Sequence, residues 1–315
     1  MPDVEIRPFS DEHVDAATAL LRERHARHLA AEPLLPEELD FRALIERLTQ
    51  HPEARGWAAF RAGRLVAYLI GTVRERVEER HVWIDYAGHA AEDAEDIRDV
   101  YAEAAAHWVD DGRLQHYVQV PAHDEGLIGT WFRLSFGQQQ ADGVREVPQH
   151  TDVRVPAGFE IRRPAADDVD ALLEVDLALP RHHRSSPVFA TRSLPTEAEL
   201  REDWKKTLAG DEDTIFIGVH GRRPVACWVL ADAEPHVPPL IRPKRACYLG
   251  FAATVPAARG SGIGVALTDA SLAWAAEQSY AAIATDWRVT NLLASRFWPR
   301  RGFRPTFFRL YRHIP

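Results

Sequence analysis

The chain of 315 residues carries two cysteines, Cys227 and Cys247. Two thiols cannot build a disulfide framework, and no histidine or carboxylate near them has zinc-ligand spacing. No apolar run reaches the length that spans a bilayer. The first residues, MPDVEIRPFSDEHVD, are acidic and lack the apolar stretch of a secretory signal, so no membrane partner and a reducing, cytoplasmic setting are expected. The first 150 residues contain no lysine at all: 16 Arg stand against 28 Asp plus Glu. The rest of the chain holds 22 basic and 19 acidic residues, so one half repels anions and the other attracts them. Other features argue against further classes. His25 and His28, and the adjacent His182 and His183, have no carboxylate or cysteine to complete a metal set, so no metal is expected. Arginines 296, 300, 301, 304, 309 and 312 form a basic cluster, yet the net charge of −9 disfavours a nucleic-acid partner.

What is present repeats itself. Val4–Pro8 and Phe159–Pro164 each read as a short strand followed by an acidic helix start. Trp57–Phe60 turns at Ala62-Gly63 into Leu65–Ile70, as Ile215–Val219 turns at His220-Gly221 into Val225–Leu230. Trp131, Phe132 and Phe136 stand like Phe297, Trp298 and Phe303 near the end of each half. Shared order at similar offset points to duplication, with domains at 1–150 and 151–315. The polar stretch from Pro148 to Gly158 reads either as a linker or as a strand exchanged between the halves. In the second half the pattern predicts strands at 159–162, 214–219, 224–232, 246–255, 281–286 and 306–312. Helices are predicted at 167–178, 196–209, 261–278 and 291–301, a mixed α/β order.

The chemistry concentrates at Thr254-Val255-Pro256 and Arg259-Gly260-Ser261-Gly262-Ile263-Gly264. An apolar strand ends at Pro256, which has no ladder donor, and a glycine turn leads into an apolar-periodic helix. Free N–H groups and the positive end of the helix dipole make such a turn an anion site, and the glycines allow a phosphate to approach the backbone. A glycine-rich strand–helix turn without a ligand has the same appearance. A Walker loop is excluded because no Gly-Lys-Ser/Thr is present, and G-x-G-x-G differs from the dinucleotide fingerprint G-x-G-x-x-G.

This segment resembles motif A of the GNAT superfamily of acyl-CoA N-acyltransferases, Gln/Arg-x-x-Gly-x-Gly/Ala. Asn291-Leu292-Leu293-Ala294 with Phe297 and Arg301-Gly302-Phe303 resembles the family's motif B. The likeness covers 159–315, and residues 4–147 look like a second, diverged copy. The resemblance implies two GNAT-like domains, each a twisted, mostly antiparallel sheet flanked by helices with a splayed central cleft. It implies acetyl-CoA as co-substrate and direct attack by an amine in a ternary complex. Arg259, Gly260, Ser261, Gly262, Ile263 and Gly264 would wrap the pyrophosphate; Ala253, Thr254 and Val255 would bind the pantetheine arm; Asn291 and Phe297 would contact the coenzyme. The acid that many relatives place seven residues after the Asn is Trp298 here, which cannot donate a proton to a thiolate. Tyr248, Asp286 and Ser295 remain as candidate catalytic residues, and Asp232, Glu234 and His236 as a candidate substrate loop. The first half has Ala91-Glu92-Asp93-Ala94-Glu95-Asp96-Ile97-Arg98 where the phosphate loop would be, so it is expected not to bind acyl-CoA. The acceptor is expected to be a small-molecule or peptide amine, cationic if the acidic half faces it, and the protein a monomer or homodimer. A non-catalytic CoA sensor and a transferase of longer acyl chains are the rival readings.

Overall fold

The structure, a computed structural model, describes residues 4–76, 79–190 and 194–315. Met1, Pro2 and Asp3 of the acidic N-terminus lie outside the described residues. The chain divides into two compact units, 1–141 with 305–315, and 142–304.

The first half of the chain begins with β1 (Glu5–Pro8), α1 (Val14–Ala31) and α2 (Phe41–Thr49), then the hairpin β2 (Ala54–Arg61) and β3 (Arg64–Arg76). Ala62 and Gly63 both take positive φ at its turn, the twist a two-residue hairpin requires. There follow β4 (Glu79–Ile84), β5 (His89–Ala91), α3 (Asp96–Asp110), β6 (Gln115–Pro121), α4 (Glu125–Arg133) and β7 (Gly137–Glu146). The second half of the chain repeats this order, with one strand in place of β4 and β5: β8 (Phe159–Arg162), α5 (Val169–His183), α6 (Glu197–Ala209), β9 (Thr214–His220), β10 (Arg223–Asp232) and β11 (Ala246–Thr254). The second half of the chain closes with α7 (Ile263–Glu277), β12 (Ala282–Arg288), α8 (Leu292–Arg300) and β13 (Arg304–His313). The predicted elements of this half are all present, with ends displaced by a few residues, chiefly where α5 runs on to His183.

The last strands do not stay with their own halves. The first unit's strands run β1-β2-β3-β4-β6-β13, and β13 pairs antiparallel with β6 from Phe307↔Pro121 to His313↔Gln115. The second unit's strands run β12-β11-β10-β9-β8, with the latter part of β7, from Asp142, beside β12. The unit boundary therefore falls at 141/142 and again at 304/305, not at 150/151. Residues 148–158 form neither helix nor strand, so the exchange read as one option for them is made by β7 and β13 instead.

In the second unit Leu172, Val175, Leu200 and Trp204 of α5 and α6 pack on Ile215, Ile217, Cys227 and Ala253 of the sheet. On the first unit's sheet Ile97, Tyr101, Trp108 and Trp131 of α3 and α4 cover Trp57, Leu69, Val82 and Val118. Both cores follow from apolar residues at helical spacing set against alternating strand residues.

Candidate acyl-CoA site

In the second unit β11 runs parallel to β12 only from Ala246↔Ala282 to Leu249↔Thr285. Thr285 Oγ1 donates to Leu249 O at 2.8 Å at the last joined position. Gly250 is then the extra residue of a bulge, since Val229 opposes Phe251 while Leu230 opposes Leu249. Beyond it β11 keeps its pairing with β10 but has no partner in β12, so a cleft opens between parallel strands. Val255 N–H donates to Val225 O at 2.9 Å. Antiparallel strands alternate in the direction of their N–H groups, so Ala253 N–H also turns to β10, whereas Ala252 and Thr254 N–H turn into the cleft. Of the strand residues expected to meet a pantetheine arm, Thr254 is therefore placed to donate; Ala253 and Val255 are not, and Ala252 was missed. The bulge, which sequence does not reveal, sets that parity.

Past Pro256 the chain turns through Gly260 at φ +79° and Gly262 at φ +91° into α7. Ile263 at its first position sits on Gly218 of β9, where a Cβ would meet Ile263 Cγ1 at 2.5 Å, so the helix start is held tight against the sheet. Among the described residues no acceptor takes the N–H groups of Gly260, Gly262, Gly264 or Val265. Arg259 anchors the loop by donating from Nε to Thr254 O at 3.2 Å. Four unfilled amides at a helix N-terminus next to a guanidinium have the donor chemistry of a diphosphate site.

A cavity of about 400 Å³ opens beside this loop. Its walls are Ala252, Ala253 and Thr254 of β11, Arg259, Gly260, Gly262 and Gly264 of the loop, and Asn291, Leu293, Phe297 and Trp298 of α8 with its cap. Leu179 and His182 of α5 and Trp228 of β10 complete it. Ser261 and Ile263 belong to the loop without lining the cavity: Ser261 Oγ donates to Ala258 O at 2.8 Å, and Ile263 is buried. Trp298 is buried and meets the ring of Trp228 edge-on at 6.5 Å, a wall rather than an acid.

The candidate proton carriers separate. Tyr248 Oη donates to Asp286 Oδ1 at 2.7 Å, so two residues singled out individually form one pair. Burial first, then the adjacent Asp286 carboxylate, push the Tyr248 hydroxyl far above the usual tyrosine range, so it holds its proton. The pair lies before the cleft opens and is not part of the cavity wall; His236 stacks on Tyr248 at 5.6 Å. Asp232 Oδ1 accepts from Glu234 N–H and Glu234 pairs with Arg242, contacts internal to their loop. Ser295 sits on α8 apart from both sets.

Asn291 caps α8, its Oδ1 accepting from Leu293 N–H at 3.1 Å and Ala294 N–H at 3.2 Å. His182 Nε2 meets the same oxygen at 3.0 Å, and Asn291 Nδ2 lies 3.5 Å from His183 Nε2. Sequence spacing discounted these two histidines because it was tested only against metal-ligand geometry. The signal that could have found His182 is its place at the end of a helix whose earlier turns pack on the motif strand.

The first unit's counterpart is closed by its own side chains. Glu92 pairs with Arg64, Asp96 with Arg61, and Glu95 with Arg98 and Arg133. Asp93 Oδ1 accepts Glu95 N–H at 3.0 Å, so a carboxylate already occupies the role an anion would take. Val14 and Val169 open the matching helices, which sets Arg24 against Leu179. Arg24 is 2% exposed and donates to the carbonyls of Tyr86 and His89, inside the break between β4 and β5. Burial lowers its pKa to about 10, still charged at neutral pH.

A search of curated proteins finds no match. Among solved structures, a GCN5-related N-acetyltransferase from Sphaerobacter thermophilus is similar over 100% of this chain and 97% of its own, at 14% identity and TM-score 0.64. A tandem GNAT protein from the clavulanic acid biosynthesis pathway aligns over 99% and 98%, at 14% identity and TM-score 0.51. A glucosamine N-acetyltransferase region in a fungal multi-domain GH3 beta-N-acetylglucosaminidase aligns over 99% of this chain and 38% of that one, at 13% identity and TM-score 0.58. At such identities the likeness shows the fold. The sequence model of the Acetyltransferase (GNAT) family matches residues 180–303, which span the cleft, the loop and the capped helix described above. Residues 180–303 are thus a domain of the GNAT acetyltransferase family.

Proposed function

We propose that this protein is an N-acyltransferase that moves an acetyl group from acetyl-CoA to the amine of a small molecule or peptide, by direct attack in a ternary complex. The observation that carries this reading is the set of amides without a protein acceptor at Gly260, Gly262, Gly264 and Val265, beside the cavity. In it the loop and Arg259 hold the diphosphate, and Thr254 N–H with Ala252 N–H line the path of the pantetheine arm. One of those amides polarises the thioester carbonyl. The lining is mostly apolar, a low-dielectric setting that strengthens that polarisation. Two unpaired, buried cysteines suit a reducing cytoplasm. The acidic first half favours a cationic acceptor and serves as a scaffold without acyl-CoA of its own.

The test is calorimetric titration with coenzyme A, followed by thiol release from acetyl-CoA with a panel of amines. One site per chain and amine-dependent thiol release are expected. Binding without release from any amine would favour the second reading, a CoA-sensing module. Trp298 where relatives carry an acid, and a Tyr248 that holds its proton, are the observations on that side. Gly262→Glu, which sets a carboxylate among the loop amides, is expected to abolish binding; unchanged affinity would sink both readings.

A further inference from the structure

Acyl transfer needs a base for the amine, and neither Tyr248 nor Trp298 can act as one. We propose that His182 Nδ1 is the proton acceptor of the reaction, fixed in its basic tautomer by the cap residue Asn291. The inference rests on the acyl-transfer reading above.

Orientation settles the tautomer. Leu293 and Ala294 N–H groups both point at the Asn291 side-chain oxygen, and an amide nitrogen cannot accept them. That oxygen is therefore fixed as an acceptor toward His182 as well, so His182 Nε2 carries the hydrogen and donates. A neutral imidazole with Nε2–H has its lone pair on Nδ1. The opposite end of the same amide then donates toward His183 Nε2. Burial, Arg288 and His182 lower the pKa of His183 to about 4, so it stays neutral and able to accept. His182 is half-buried and lines the cavity wall shared with the cofactor loop and Thr254. Among the described residues no carboxylate lines that cavity. The charged and titratable groups around it are Arg259 from the loop, Arg288 from β12, and, on its own helix, the neutral His183 and Arg181, the last paired with Glu174.

The step balances without a further reactant. The lone pair of the neutral amine forms the C–N bond at the thioester carbon, and the C–S bond breaks. The amine proton passes to His182 Nδ1, giving an imidazolium whose Nε2–H still donates to Asn291. That proton then neutralises the departing thiolate, so amide and free thiol leave and the imidazole is restored.

A structural role for His182 would be to prop Asn291, and His182→Gln separates the two, because a glutamine amide can still donate to Asn291 but cannot act as a base. Wild-type turnover and coenzyme A affinity are measured first. For His182→Gln, kcat is expected to fall by about 100-fold or more while coenzyme A affinity stays within about threefold. The acid limb of the wild-type pH profile should disappear, and free imidazole should restore part of the rate of His182→Ala. A His182→Gln enzyme with wild-type kcat and an unchanged acid limb overturns the assignment while leaving acyl transfer in place. A wild type that binds coenzyme A but releases no thiol overturns the transfer reading, and this inference with it.

Discussion

Gly262 stands at φ +91° at the cap of α7, with Pro156 Cγ 3.3 Å from where a Cβ would be. A left-handed backbone costs about 1–2 kcal/mol in any residue with a side chain. Gly262→Ala is therefore expected to lose about that much stability in urea unfolding and to bind coenzyme A more weakly. Arg24 acts at the same scale in the other unit. Replacing it with Leu removes the donors to the carbonyls of Tyr86 and His89, and should cost about 2–4 kcal/mol by the same measurement. Buried histidines give the first unit an acid limit. Burial lowers the pKa of His28 and His89 to about 3 and that of His116 to about 4, from 6.5 in an unfolded chain. Below 6.5 the unfolded chain takes up protons that the fold refuses. The stability these groups contribute is full above 6.5 and declines as pH falls toward 3–4. From pH 6.5 to 5.5 the loss approaches about 1.4 kcal/mol per histidine as an upper limit, readable as a falling urea midpoint.

At the scale of elements, the decisive feature is where the last strands go. β13 supplies Phe307 and Leu310, both fully buried, and a seven-position pairing with β6. Ending the chain after Phe303 is expected to unfold the first unit, seen as loss of protection from hydrogen exchange in β6 and α3. Retained protection there would show that β13 is dispensable. The helix starts differ in the same physical terms. The start of α7 leaves amides open beside an arginine, whereas the residues leading into α3 fill theirs with carboxylates that arginines already neutralise. Reverting Glu92 and Asp93 to glycine should not create a coenzyme site, because Arg24 still fills the break between β4 and β5; a second calorimetric site in that variant would contradict this.

Taken as a whole molecule, the chain is two copies of one element order with unequal chemistry. A fragment of residues 151–315 would lack β7 and carry β13 away from the unit it completes. It is expected to be less soluble and to unfold without a cooperative transition, and a stable, coenzyme-binding fragment would argue against the exchanged boundary. The full chain should titrate to one coenzyme A per chain, as the charge difference between its halves implies.

Much of this is legible in the sequence. Local signals fixed the second half: Pro256 ending a strand, glycines opening α7, Asn291 capping α8, and period-two and period-3.6 patterns placing nearly every element. The carboxylates of the first loop were also readable, though the arginines that pair with Glu92, Glu95 and Asp96 were not. Three things depended on residues far apart in the chain. The bulge at Gly250 reversed which amides of β11 face the cleft, and parity along a strand cannot be known until its partners are. The return of β13 to the first unit is a choice between two similar sheet edges, which a repeated pattern leaves open. The meeting of His182 with Asn291, and of Tyr248 with Asp286, arises because packing joins a helix end to a cap and one strand to its neighbour. Sequence determines which groups are available; only the fold decides which of them share a cavity.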